Sequence, residues 1–249
     1  IIVAPEAADA IDALLALQEG RAAVVVASGR SGEILYSADP DEPVFAASLY
    51  KLAVLLEAER RMDAGTLKLT DRITVTMADQ AESGSFTAAG RVLSIDEALE
   101  RAMVLSDNAA ALALIRKLGT SSIQATLDRE QIDLRFTADG VVTTARGIAT
   151  FFGELLRGSL VSRDASARML ARLARQRSVD RLPAALPDGA VTAHKTGNLG
   201  FATHDAGIVS GPGGAPIVLV VLTWDSPEGE AIELIKEIAA LVYGGLART

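Results

Sequence analysis

Hydrophobic and polar residues follow two different periods along the chain, and the change of period divides it into three parts. Near the start, residues 7–17 have apolar side chains at helical spacing, and residues 22–27 and 33–36 are short β-rich runs around a glycine turn. The β pattern returns late in the chain, at residues 191–196, 204–209 and 217–223, and residues 228–243 form a closing helical segment. We therefore predict a sheet built from both ends of the chain, with the three late strands antiparallel.

The middle of the chain is helical in pattern. Ser94 and Glu97 have the spacing of a capping box, in which the two side chains bond each other's backbone N–H groups at a helix start. The segment 210–214, rich in glycine, is typical of a hairpin loop. The predicted helices cover residues 48–62, 108–118, 122–127, 144–156 and 162–175.

This order of elements predicts two lobes. Residues 1–44 and 186–249 would form a lobe of sheet and terminal helices, and residues 45–185 an inserted helical lobe. A (β/α)₈ barrel is excluded because eight alternating units are not present. We expect one functional unit, with its site between the lobes.

Composition and charge exclude several classes of function. The 249 residues carry 24 Lys and Arg against 32 Asp and Glu, a net charge of −8, which argues against a nucleic-acid partner. There is no cysteine and there are only two histidines, so thiolate and three-histidine metal sites are excluded and no metal or organic cofactor is expected. No apolar run reaches the length of a membrane span.

The chain opens with Ile-Ile-Val and no Met, so we expect an exported bacterial protein whose leader was removed, acting as a monomer.

The first candidate for chemistry is Ser48-Leu49-Tyr50-Lys51. Ser48 stands at a predicted helix start, and Lys51 at i+3 falls on the same helix face. The positive end of the helix dipole favours an alkoxide at Ser48, and a buried lysine beside another cation can be neutral and accept its proton. The pattern alone is weak, because random order gives about 0.3 such matches in a chain of this composition. The alternative is a capping serine with a surface lysine.

Two further motifs make coincidence improbable. Ser106-Asp107-Asn108 lies between two predicted helices, and Lys195-Thr196-Gly197 ends a predicted strand. Separately, they fit a helix cap and a strand end. The joint chance of all three motifs is roughly one in ten thousand.

In this order, the three motifs are the set found in class A β-lactamases and penicillin-binding proteins, and the chain resembles that serine-hydrolase superfamily over nearly its whole length. The resemblance implies an α+β fold: a five-stranded antiparallel sheet with flanking terminal helices plus an inserted all-helical lobe. It implies a substrate that is a small β-lactam or a peptide similar to D-Ala-D-Ala.

The resemblance also implies roles for individual residues. Ser48 would be the acylated nucleophile, Lys51 its base, and Ser106 the hydroxyl that passes a proton to the leaving nitrogen. Backbone N–H groups of Ser48 and Asn198 would form the oxyanion hole. Substrate contacts are expected at four positions: the amide of Asn108, the charge of Lys195 and hydroxyl of Thr196 at the substrate carboxylate, and Gly197, which would leave room for a strand-like substrate.

The chain departs from the family pattern in two places. The Glu-x-x-Leu-Asn loop that activates the deacylating water cannot be present, because the only Asn residues are Asn108 and Asn198. Of the nearby acidic residues Glu130, Asp133 and Asp139, Asp139 is the best placed as a substitute base, and solvated loop charge is the alternative for all three. The second departure is His204, where many class A enzymes have an Arg that binds the substrate carboxylate. His204 could bind an anion when protonated or pair with Asp205, and His194 is expected to be structural.

Three functions remain open at this point, because the three intact motifs disfavour a scaffold with decayed catalytic residues. The first is a β-lactamase with slow deacylation, and the second is a D,D-peptidase or esterase of the same superfamily. The third is a sensor that is acylated by β-lactams and not turned over.

Overall fold

The computed structural model describes residues 2–211 and 214–247. Within them, helices and strands follow the predicted order, with most ends within two or three residues of prediction. The helices are α1 (Pro5–Leu17), α2 (Lys51–Asp63), α3 (Ile95–Val104), α4 (Asn108–Leu118), α5 (Thr120–Arg129), α6 (Ala145–Arg157), α7 (Arg163–Leu173) and α8 (Glu228–Gly244). The strands are β1 (Ile2–Val3), β2 (Arg21–Ser28), β3 (Ile34–Ala38), β4 (Val44–Phe45), β5 (Arg72–Thr74), β6 (Val92–Ser94), β7 (Leu134–Thr137), β8 (Gly140–Thr143), β9 (Val191–Asn198), β10 (Ala202–Ser210), β11 (Ile217–Trp224) and β12 (Leu246–Ala247).

A five-stranded antiparallel sheet forms the frame, in the order β3-β2-β11-β10-β9. The prediction of a sheet drawn from both ends of the chain is confirmed, and the α+β fold with it. β2, β10 and β11 are buried on both faces, which explains why they read as continuous Val- and Ala-rich runs without polar alternation. β9 is an edge strand, so one side of its backbone is not paired within the sheet.

Two hydrophobic cores lie on the two faces of this sheet. One face packs on α1 and α8, through side chains such as Val24, Leu219 and Ile235. The other face packs on α6 and the helical middle of the chain, and this larger core includes Val25 and Val220 of the sheet together with Leu55 of α2. α2 runs through the larger core with nine consecutive buried residues, from Lys51 to Glu59. The first turn of α2 is therefore held by packing on all sides.

Three small sheets were not predicted. β4 pairs with β8 and β8 with β7, β5 pairs with β6, and β1 pairs with β12. Each strand has only two to four residues, so its pattern is too short to distinguish from a loop. The hairpin of β7 and β8 lies between the second and third motifs, the part of the chain where the resemblance implies a deacylation loop.

The capping box of α3 is confirmed. The Ser94 hydroxyl accepts from the Glu97 N–H at 3.1 Å, and the Glu97 carboxylate accepts from the Ser94 N–H at 2.7 Å.

The predicted hairpin loop 210–214 joins β10 to β11, but Pro212 and Gly213 lie outside the described residues. The boundaries of the two predicted lobes stay a prediction. Among the described residues, no helix combines the length and the apolar character that crossing a membrane needs.

Candidate active site

Ser48 lies in a tight turn where the chain enters α2. The turn is a short 3₁₀ helix, Ala47–Tyr50, that continues directly into Lys51. Ala47 has φ +45°, a conformation that costs a residue with a Cβ about 1–3 kcal/mol and is retained only where the surroundings enforce it. The prediction of an ordinary helix from residue 48 is therefore wrong by one turn: the serine precedes the α-helix.

Lys51 is fully buried and contacts four oxygen atoms. Its Nζ lies 2.8 Å from Ser48 Oγ, 2.8 Å from the Ser106 carbonyl oxygen and 3.1 Å from Ser106 Oγ, and it also donates to Asn108 Oδ1. Burial lowers the pKa of Lys51 to about 7, and the negative charges of Glu82 and Asp107 offset part of that effect. The amine is therefore substantially neutral near neutral pH.

The partners of Lys51 suit a neutral amine. A carbonyl and an amide oxygen can only accept, so they take the two hydrogens that a neutral amine has. The remaining lone pair can accept the hydrogen of a hydroxyl. Ser48 Oγ, at 2.8 Å, is within reach for that transfer.

Ser106 lies between two lysines. Its Oγ is 3.1 Å from Lys51 Nζ and 3.0 Å from Lys195 Nζ, and its φ of +56° is again unusual for a residue with a Cβ. Burial, and next the positive charge of Lys51, hold the pKa of Lys195 well below its ordinary value. The hydroxyl thus links the two amines and can relay a proton between them.

Asp107 and Asn108 hold the neighbouring loop rather than facing outward. Asp107 caps α4 by accepting from the Ala109 N–H at 3.0 Å, and it also accepts from the Phe86 N–H and the Thr87 hydroxyl. The Asn108 amide donates to the Ser83 carbonyl, which leaves one of its two N–H bonds for another acceptor.

The edge strand β9 passes beside the serine turn. A Cβ at Gly197 would lie 3.1 Å from Ala47 Cβ and 3.2 Å from His204 Cδ2. The glycine therefore allows β9 to approach the nucleophile, and the room that we expected it to leave for a strand-like substrate stays a prediction. The Asn198 side chain is held by its neighbours, since its amide donates to the Glu228 carboxylate and its Oδ1 accepts from the Gly200 N–H at 2.9 Å.

His204 has an arrangement that differs from both expectations. It is fully buried, its Nδ1 accepts from the Thr223 N–H at 3.1 Å, and its Nε2 therefore carries the hydrogen that it donates to the Phe45 carbonyl at 2.9 Å. Burial lowers the pKa of His204 to about 4, so the ring is neutral at neutral pH. Asp205 pairs instead with His194, at 2.9 Å, and His194 has the expected structural position.

A buried arginine behind β9 was missed. Arg181 Nη1 donates to the carbonyls of Gly197 at 2.7 Å and His204 at 2.6 Å, while its Nε has no partner among the described atoms. Its charge contributes to the low pKa of Lys195. Arg181 comes from an irregular segment with no motif, so no sequence pattern pointed to it.

A cavity of about 540 Å³ opens over Ser48. Asp139, at the tip of the β7–β8 hairpin, lines it as expected of a residue near the serine, whereas Asp133 bonds Thr144 and Arg135 instead. Glu130 ends α5 and is not part of the lining. Glu82, which sequence reasoning did not single out, also lines the cavity. The complete lining is Phe45, Ala47, Ser48, Tyr50, Glu82, Asn108, Asp139, Gly140, Val141, Asn198, Leu199 and Phe201.

Comparison with known proteins gives consistent matches. The family described as "Beta-lactamase enzyme family" matches residues 6–246. A β-lactamase from Streptomyces albus G is 33% identical over 220 residues, covering 79% of this chain and 69% of that protein. The crystal structure of a β-lactamase from Sphaerobacter thermophilus DSM 20745 is 26% identical with a TM-score of 0.87, over 98% of both chains. An ancestral class A β-lactamase is 26% identical with a TM-score of 0.86, over 96% of this chain and 100% of that one.

Proposed function

The chain belongs to the beta-lactamase enzyme family, and from this membership we propose that it opens the ring of β-lactams through an ester formed on Ser48. The observation that carries the proposal is the contact between Ser48 Oγ and the buried Lys51 amine, at 2.8 Å. A nucleophile and a base at this distance, with the base poised near neutral pH, have the geometry that acyl transfer requires.

Acylation proceeds in three linked proton transfers. Lys51 accepts the proton of Ser48 as Oγ attacks the lactam carbonyl carbon, giving a tetrahedral oxyanion. When that intermediate collapses, the C–N bond breaks and the nitrogen takes a proton from Ser106. Ser106 is then reprotonated by Lys51 or Lys195, which lie 3.1 and 3.0 Å from its Oγ. The product of this half-reaction is a ring-opened ester on Ser48.

The other motif residues position the substrate. The oxyanion would be stabilised by the backbone N–H groups of Ser48 and Asn198, each worth ~2.7–4 kcal/mol in such sites. The free N–H of the Asn108 amide suits the carbonyl of an acylamino side chain. For the substrate carboxylate we propose the Thr196 hydroxyl and the Lys195 amine as hydrogen-bond donors, with the permanently charged guanidinium of Arg181 behind β9 as the source of positive potential. His204 is not part of this proposal, because its ring is buried and bonded to backbone.

The direct test is the mass of the protein after incubation with benzylpenicillin. We expect an increase of one drug equivalent, located on the peptide that contains Ser48, and none in Ser48→Ala. An adduct of the same mass on Ser48→Ala would contradict the assignment. Ser37→Ala, on β3 and remote from the cavity, is a matched control that should be acylated normally.

We propose in addition that deacylation is slower than acylation. The β7–β8 hairpin stands where the family pattern has its deacylation loop. Among the described residues, the hydrogen bonds of Lys51 go to hydroxyl, carbonyl and amide oxygens and none to a carboxylate. A general base contributes ~10²–10⁴-fold to such a step. A burst of product equal to the enzyme concentration should precede a slow steady state.

The hairpin also favours a second candidate, a D,D-peptidase or esterase, for which a missing deacylation loop is less anomalous. Steady-state turnover of a chromogenic cephalosporin separates the two. Repeated turnover supports a β-lactamase, whereas one equivalent of product with release of D-Ala from a D-Ala-D-Ala peptide supports the peptidase. A sensor would be acylated and release neither.

Because these substrates occur outside the cytoplasmic membrane, we propose an exported enzyme, which cell fractionation tests.

A further inference from the structure

Two carboxylates face the cavity over Ser48 from different segments. Glu82 comes from the loop before β6, and Asp139 from the tip of the β7–β8 hairpin. Both are exposed, and among the described residues neither side chain forms an ion pair or a side-chain hydrogen bond. The lysines of the site are not part of the lining, because Lys51 and Lys195 are fully buried behind its wall, although the charges of Glu82 and Lys51 influence each other. The cavity lining therefore carries negative charge only.

The rest of the lining includes several exposed apolar side chains. Phe45, Leu199 and Phe201 are 38%, 47% and 48% exposed, and the two rings pack edge to face with centroids 5.9 Å apart. Val141 of β8 lies in the same lining. Exposed large apolar side chains gathered at a cavity mark a binding surface. An aromatic or aliphatic group on the ligand would cover them.

The buried hydroxyl of Tyr50, at the wall of the cavity, independently indicates a binding site. Tyr50 is only 8% exposed and lines the cavity, yet among the described residues its hydroxyl has no hydrogen-bond partner. An unsatisfied buried hydroxyl costs about 1–3 kcal/mol, so such groups are usually completed by a ligand or water. Burial, and next the charge of Glu82, raise the pKa of Tyr50, so the phenol stays protonated and its oxygen can accept a hydrogen bond.

We propose that this cavity selects substrates whose acyl side chain carries a protonated amine on an apolar or aromatic group. The ammonium would lie between Glu82 and Asp139, with the Tyr50 hydroxyl oxygen as a third acceptor. The apolar group would cover Phe45, Leu199 and Phe201. This inference rests on the proposed function, because it concerns the acyl end of a substrate whose carboxylate is held near Lys195.

Three penicillins that differ in one substituent test the inference. Benzylpenicillin has a neutral benzyl side chain, ampicillin adds an ammonium on the same carbon, and carbenicillin adds a carboxylate there. The measured quantity is the second-order rate of acylation of Ser48, followed by stopped flow and intact mass. Restriction to acylation matters, because Asp139 is also the candidate base for deacylation.

The readout is the rate ratio of ampicillin to benzylpenicillin, compared between variants so that intrinsic reactivity cancels. We expect the ratio to fall about fivefold in Glu82→Gln or Asp139→Asn, since exposed ion pairs are worth up to ~1 kcal/mol, and further in the double variant. The rate of acylation by carbenicillin should increase in the same variants, because its carboxylate is no longer repelled by the replaced carboxylate. Tyr50→Phe should lower the ampicillin ratio without raising the rate for carbenicillin. Glu237→Gln, an equal charge change on the exposed face of α8, is the control and should leave every ratio unchanged.

The failures are distinguishable. If the variants are acylated but their ratios equal those of the unmodified enzyme, this inference is overturned and the proposed function stands. If none of the three penicillins acylates Ser48 in any form of the protein, the proposed function itself is wrong. A ratio that falls equally in Glu237→Gln would reveal a general charge effect and also overturn the inference.

Discussion

Each amine in the site depends on its burial for reactivity, and Lys51 shows this at the scale of one residue. Acylation requires its neutral form, and burial lowers its pKa to about 7. We therefore expect the acylation rate to rise with pH up to about 7 and then level off. Lys51→Ala should reduce the rate at least ~10²-fold at every pH, with the fold intact by circular dichroism. Acylation by Lys51→Ala at the unmodified rate would exclude the lysine as base.

His204 should make the free energy of unfolding decrease at acid pH. Its pKa is about 4 in the folded protein and near 6.5 when unfolded, so between these values the unfolded state binds more protons. Stability should consequently fall as the pH decreases from 6.5 to 4, by about 3 kcal/mol from this residue. Urea unfolding at pH 7 and pH 5 measures the change. An NMR titration midpoint of the imidazole near 6.5 in the folded protein would refute this explanation.

At the scale of elements, the approach of β9 to the serine turn depends on Gly197. A Cβ there would press on Ala47 and His204 at 3.1–3.2 Å, so Gly197→Ala should displace the strand or the nucleophile. A displacement near 1 Å can cost ~10²-fold in rate, and we expect a loss of at least about tenfold in acylation. Gly229→Ala in α8 would meet no atom of the described residues within 4 Å and is the matched control. Equal rates for the two variants would show that the close approach is not needed.

The start of α3 offers a stability prediction that does not involve the site. Ser94→Ala removes the hydroxyl that accepts from the Glu97 N–H, and should lower the free energy of unfolding by about 1 kcal/mol. Denaturant titration gives the value. Ser121→Ala, on the exposed face of α5, should cause no loss.

The elements that could be predicted from sequence are those whose own pattern is strong. α4 has the predicted bounds of residues 108–118, and β11 was predicted to within one residue, because an uninterrupted Val- and Leu-rich run is buried on both faces. The hairpin of β7 and β8 was not predicted, because its partner β4 has two residues, Val44 and Phe45, which pair with the distant Thr143 and Val142. Such pairing is decided by tertiary packing.

The same distinction applies to the residues of the site. The three motifs could be placed because their spacing is local, and the structure brings Ser48, Lys51, Ser106 and Lys195 within hydrogen-bond distance. The arrangement of His204 could not be inferred, since it depends on backbone groups of Phe45 and Thr223, which are distant in sequence. Glu82 and Tyr50 acquire their significance only from the cavity that they share.

At the scale of the whole molecule, the larger core joins the parts that the sequence divides into two lobes. Val220 of the sheet and Leu55 of α2 belong to one continuous cluster. We therefore expect a single cooperative unfolding transition. Circular dichroism and loss of acylation by a penicillin should give coincident midpoints in urea. Separate midpoints would instead indicate lobes that unfold independently.

The two buried lysines have a consequence for how such a protein changes under selection. An amine enclosed in a core lowers the free energy of unfolding, and replacing it with an apolar side chain of similar length raises that free energy. Directed evolution for heat resistance alone should thus accumulate replacements at Lys51 and Lys195. Some of the most heat-stable variants should then be catalytically inactive. If one library is sorted separately for melting temperature and for penicillin labelling, variants at these two positions should rank high in the first sort and low in the second. Persistence of both lysines in the heat-selected pool, with labelling left unselected, would mean that their burial costs less than the geometry indicates.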